Sequence, residues 1–152
     1  MSYGVDGPAY WSPSFDDDPS SVLEDEVCVI KAEHYFVRAR IMIRVVGADP
    51  RTTFDWGVWV SLARPNFERA LDLWETEGRE QEPPAFGWLS TELGVYEPST
   101  LNLKTYVHTQ PVGHRPLIEL EPTDHPLAVE QRYGITMARV QEIAELVLHA
   151  TS

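Results

Sequence analysis

The stretch YFVRARIMIRVV, Tyr35 to Val46, alternates from end to end. Tyr35, Val37, Ala39, Ile41, Ile43 and Val45 share one face of an extended chain, and Arg38, Arg40 and Arg44 share the other with Phe36 and Met42. Side chains alternate across a strand with a period of two, so this run predicts a long strand with one buried face. After the loop GADPRT, FDWGVWVSL alternates again. Phe54, Trp56, Val58, Val60 and Leu62 lie on one side, and Asp55, Gly57, Trp59 and Ser61 on the other. Most aromatics of these runs read as core, but Trp59 shares the side of Asp55 and Ser61. Upstream, VCVI is a short apolar strand separated from the long one by KAEH.

The period then changes. Phe67, Ala70, Leu71 and Trp74 recur as the apolar stripe of a helix, with Pro65 suited to its first turn and Gly78 to the position past its end. FGWLSTEL, LNLKTYVHT and PLIELE read as three more strands, the last two joined antiparallel around QPVGHR. Val140, Ile143, Ala144, Val147 and Leu148 form a second helical stripe, with Thr136 placed to cap it. Strands mostly neighbour strands, which favours α+β over a parallel α/β sheet. The expectation is a mainly antiparallel sheet of about five or six strands with two or three packed helices.

Charge divides the chain. Residues 1–34 carry eight acids and one base, and the remainder carries sixteen acids and eleven bases, within a net charge of −12. Residues 1–26 read as an acidic, Pro/Gly/Ser-rich N-terminal segment that docks through Tyr10, Trp11 and Phe15. Residues 27–152 read as a single α+β domain. So acidic a chain repels nucleic acid and anionic membrane, and neither is expected as a partner. Cys28 is the only cysteine, so no intramolecular disulfide and no cysteine metal cage can form. No export signal opens the sequence, and a cytoplasmic location is expected.

The densest chemistry lies in RPLIELEPTDHPLAVEQRYGIT, Arg115 to Thr136. Its structural reading is a strand ending at Glu121–Pro122, a helix capped by Thr123 or Asp124 with Pro126 in the first turn, and a stop at Gly134. Its functional reading uses alternation. Arg115, Glu119 and Glu121 share one strand face, Lys104 and His108 share a face of the strand before, and Asp124 and His125 follow in the loop. Histidine beside carboxylate suits acid–base or metal chemistry. If there is a pocket, this reading places it at His108, Glu119, Glu121 and His125 together. Arg38, Arg40 and Arg44 invite an anion-binding reading, which an opposing strand of acids would explain equally well.

The same stretch, with FDWGVWVSL, NFERALDLW, FGWLSTEL and LNLKTYVHTQP, resembles a bacterial family, domain of unknown function 2199, from about Val27 to the last helix. The resemblance implies no reaction, cofactor, partner or catalytic residue. Some members begin with a Cys-x-x-Cys pair, which SYGVDGPAYW lacks, so no zinc is implied. No cofactor or metal is expected. The first functional expectation is a non-enzymatic interaction or small-ligand-binding domain, of which an antitoxin or immunity-type partner is one version. The rival is a hydrolase or metal-dependent enzyme built on the histidine–glutamate residues. A protein or small-ligand partner fits the first expectation, and a homodimer stays open.

Overall fold

The computed structural model describes residues 2–151. Along the chain the strands and helices are β1 (Ser2–Tyr3), β2 (Val22–Leu23), β3 (Val27–Ile30), β4 (His34–Arg44), β5 (Thr53–Leu62), α1 (Arg64–Asp72), β6 (Ala85–Leu89), β7 (Lys104–His108), β8 (Leu117–Leu120), α2 (Pro126–Tyr133) and α3 (Met137–Thr151). The two alternating runs become β4 and β5, paired antiparallel from Tyr35↔Leu62 to Arg44↔Thr53.

From β4 to β8 each strand pairs antiparallel with the next. Five strands laid up and down leave the first and last pointing the same way. When such a ribbon curls shut, its closing seam must be parallel. Here β8 meets β4 in parallel at Arg40↔Leu117. The short β1 also runs parallel to β5 at Ser2↔Asp55. The sheet is mainly antiparallel, as expected, but not purely so: it is a mixed sheet of eight described strands, not five or six, that includes a closed five-stranded barrel. Local pattern predicted β3 to β8 but not the two-residue β1 and β2; the odd strand number and the curl decide the seam.

Curling needs a tight corner, and Gly87 of β6 provides one. A Cβ at Gly87 would lie 2.4 Å from Val60 Cγ1 and 3.0 Å from the Ser61 carbonyl oxygen. The seam is completed by a side chain. Gln131 of α2 accepts from Leu120 N–H at 2.8 Å and donates to the Ile118 carbonyl at 2.7 Å, standing in for strand backbone where β4 and β8 diverge.

The barrel interior is the expected apolar face: Val37, Ala39, Ile41 and Ile43 meet Phe54, Trp56, Val58 and Val60, all buried. One end is sealed by polar contacts. Trp56 Nε1 donates to the Tyr96 hydroxyl at 3.1 Å, and Arg139 of α3 holds Glu130 of α2 through two contacts of 3.2 Å. Burial, followed by the charge of Glu130, pushes the Tyr96 phenol well above its ordinary value.

The helical stripes fit the core only in part. Phe67 is buried, but α1 stops at Asp72, Leu71 is 45% exposed and Trp74 lies in the turn beyond. In α3, Val140 and Ile143 are buried, whereas Leu148 is 67% exposed. No helix among the described residues is long and apolar enough to cross a membrane.

Trp59 lies on the expected face, opposite Arg38, but that face is covered at this point. It is fully buried in a second cluster with Cys28, Ile30 and Phe36, roofed by Trp11, Phe15 and Leu23. The N-terminal segment crosses this face, where Val5 O accepts from Trp59 Nε1 at 3.1 Å and Ala9 N–H reaches Ser90 O at 2.8 Å.

Candidate functional site: an arginine-lined cleft

The polar face of β4 carries Arg38 and Arg40. On β5 the residue opposite Arg40 is Gly57, whose missing side chain lets the backbone of Tyr3 and Gly4 pack against it. The Arg40 guanidinium reaches Asp55 on the same face, with Nε to Oδ2 at 2.5 Å. Asp55 is only 5% exposed, so the pair sits at the floor of the site. Arg115, just before β8, turns across the sheet to Glu26, just before β3. Its Nε lies 2.8 and 3.0 Å from the two carboxylate oxygens, and Nη2 adds a contact of 2.8 Å. On the far side Arg69 of α1 makes a two-pronged pair with Glu82 at 2.7 and 3.2 Å. The carboxylates raise the pKa of Arg69 and Arg115, and Arg69 in turn lowers that of Glu82.

Arg79 is different. It is 9% exposed, and no carboxylate lies within ion-pair distance among the described residues. Its N–H groups donate instead to four backbone carbonyls: Gln110 at 2.7 Å, Trp74 and His114 at 3.0 Å, and Pro111 at 3.1 Å. The planar fork ties the turn after α1 to the β7–β8 hairpin. Carbonyl dipoles solvate the cation but do not cancel its charge. Arg38 is also incompletely neutralised. It donates to the Asp25 carbonyl at 3.2 Å and lies over the Trp59 ring at 5.6 Å. Its contact to the fully exposed Asp6 is 3.9 Å, and its Nε has no partner.

These side chains line a cleft of about 800 Å³ between the barrel wall, α1 and the hairpin loop. Five of the chain's twelve Lys and Arg residues border it, against three of its 24 Asp and Glu. Three of the arginines pair with those three acids, leaving Arg38 and Arg79 as the net positive charge. A chain of net charge −12 thus contains one concave, locally cationic site.

The residues singled out in the sequence are placed mostly elsewhere. Lys104, His108 and Glu119 point outward from β7 and β8, and His108 Nε2 lies 3.3 Å from Glu119 Oε1. Glu121 stays partly exposed, and its N–H donates to Lys104 O at 3.0 Å. Asp124 is exposed. His125 has both nitrogens committed, Nδ1 accepting from Leu127 N–H at 3.1 Å and Nε2 donating to Pro98 O at 2.8 Å. Among the described residues no three His, Cys, Asp or Glu side chains converge to hold a metal. Of the named residues Arg115 alone reaches the cleft.

The expected cap also moves. Pro126 occupies the first helical position, so the cap is the residue before it, His125. Thr123 Oγ1 accepts the N–H of His125 at 3.2 Å instead. Thr123 thus accepts an N–H two residues on, but in the turn before α2 and not as the helix cap. Arg38 and Arg40 were visible as an anion-binding face. Arg69, Arg79, Glu26, Asp55 and Glu82 were missed as site residues, and Arg79 stands in GREQ with no pattern to mark it.

Neither the curated proteins nor the solved structures yield a match to this chain. Residues 1–135 of the 152 match the family model described as "uncharacterized protein conserved in bacteria", and the chain belongs to that family, domain of unknown function 2199.

Proposed function

We propose that this protein is a small-ligand-binding domain whose ligand is a small organic anion, held by a carboxylate or phosphate group in the arginine cleft. The observation that carries the reading is the incompletely neutralised pair Arg38 and Arg79 in a concave site of a strongly acidic chain. The cleft's volume of about 800 Å³ suits a metabolite-sized molecule. Arg79 is fixed in advance by its four carbonyls, so binding does not have to order it. Arg38 lines the cleft, and its carbonyl and ring partners leave its charge in place. The remaining acids are held in ion pairs, which keeps them from repelling an incoming anion at full strength.

The test is titration with succinate and with inorganic phosphate at constant ionic strength, observed at the indole signal of Trp74, which borders the cleft. Succinamide serves as the neutral control. The expected result is a saturable shift with an anion and none with the amide. Arg38→Gln removes the cation without stranding a buried acid, because Asp6 is exposed. It is expected to weaken binding by about tenfold. A Trp74 signal indifferent to both anions, or equally moved by succinamide, would overturn the reading.

A further inference from the structure

On the face of β4 that carries Arg38 and Arg40, the preceding residue of the same alternation is Phe36. The N-terminal segment crosses at the level of Trp59 and Arg38. Beyond that crossing lies a second hollow of about 640 Å³. Phe36 is its floor, and Tyr10, Phe15 and Trp88 are its walls. The walls are not closed core: Tyr10 is 48% exposed and Trp88 40%. Tyr10 is stacked on Phe36 with a ring separation of 6.5 Å and an interplanar angle of 27°. Flat apolar faces left open to solvent in this way suit a planar ring.

The charged side chain of the hollow is a cation, Lys31. Lys31 and His34 line it, and none of the chain's 24 acids does. The Lys31 ammonium lies over the Phe15 ring at 5.7 Å, so cation and aromatic wall face the same space. Asp18, the acid that feels this lysine's charge, is occupied by Ser20 and Ser21 through contacts of 2.7–3.0 Å. Asn102 accepts from the Tyr10 hydroxyl at 3.2 Å, which leaves its Nδ2 donors without a partner among the described residues.

The backbone is strained at this same place. Three non-glycine residues among those described have positive φ, and two of them, Lys31 at 53° and Asn102 at 65°, line the hollow. Asparagine tolerates that region, but lysine does not favour it. Lys31 is held there by its turn, with its N–H on Ser21 Oγ at 2.8 Å. Strained conformations gather where a side chain must be aimed.

From these observations we infer a second binding site, formed by Tyr10, Phe15, Phe36 and Trp88 with Lys31 and Asn102, for a planar ring that carries a negatively charged group. The ring lies against the aromatic walls, the anion meets Lys31, and Asn102 donates to a ring or carbonyl acceptor. The site shares no lining residue with the arginine cleft and stands or falls independently of it.

Two sources share this chemistry, an aromatic carboxylate and a nucleotide. The experiment therefore runs indole-3-acetate and adenosine 5′-monophosphate in parallel, each beside its neutral counterpart, indole-3-acetamide and adenosine. The indole signal of Trp88 reports this hollow and that of Trp74 reports the arginine cleft. The expected result is a saturable shift at Trp88 with at least one anionic probe and a markedly weaker response to its neutral counterpart. Lys31→Gln is expected to weaken that binding by about tenfold, with Lys31→Arg restoring most of it. Trp88 unmoved by both anions, neutral probes binding as well as charged ones, or Lys31→Gln without effect would each overturn the proposal.

Discussion

Arg115 and Glu26 stand 89 positions apart in the chain and meet through three hydrogen bonds of 2.8–3.0 Å. The pair fastens the entry to β8 against the entry to β3 and forms one wall of the cleft. Both side chains are more than a third exposed, so solvent screens the attraction. A double-mutant cycle with Arg115→Met and Glu26→Gln, read by urea denaturation, is expected to give a coupling of about 1 kcal/mol. A coupling within error of zero would show that solvent screens the pair completely.

Arg79 is expected to be the most costly single arginine to lose. Four carbonyls are satisfied by one side chain, and the site is nearly closed to water. Arg79→Met strands those acceptors and is expected to cost about 2–4 kcal/mol in chemical denaturation. Arg79→Lys keeps the charge but loses the fork, so it is expected to recover little. Full recovery by lysine would mean that charge, not geometry, holds the hairpin loop.

The cap on α2 gives a sharper comparison. His125→Ala removes the acceptor for Leu127 N–H and the donor to Pro98 O together, with an expected loss of about 1–2 kcal/mol. His125→Asn keeps a capping side chain and is expected to recover about half of that loss. Thermal midpoints of the three proteins decide it. Asp124→Ala, at an exposed position outside the cap, is expected to change the midpoint little.

Cys28 is expected to be inert in the folded protein. Its side chain is fully buried, and burial pushes the thiol up to about 11 from 9.0. The thiolate is the reactive form, so a disulfide reagent near neutral pH should modify Cys28 only after unfolding. The sign for stability follows from proton binding. The folded state holds this proton more tightly, so its contribution is complete below pH 9 and is lost as pH rises towards about 11. Cys28→Ser compared with the parent across pH 8–11 isolates that loss. Rapid labelling of the native protein at neutral pH would contradict the burial.

What the sequence by itself determined was periodic. The alternation of Tyr35 to Val46 and of Phe54 to Leu62 made β4 and β5 legible, and Thr136 could be read as a cap because its Oγ1 meets Arg139 N–H at 3.1 Å. A period of two, a period of 3.6 and a cap three residues from its N–H are consequences of local backbone geometry. Proline at the first helical position makes the residue before it, His125, the cap, where the sequence expectation was Thr123 or Asp124. Only the tertiary structure decided which distant groups share a space. The parallel seam at Arg40↔Leu117, the four carbonyls around Arg79 and the meeting of Arg115 with Glu26 all depend on how five strands curl into a barrel. The packing of α1 and the hairpin loop against the barrel wall encloses Arg38 and Arg40 in a cleft, whereas His108 and Glu119 face solvent. Alternation says which residues share a face of a strand; whether that face becomes concave depends on contacts between residues far apart in the chain.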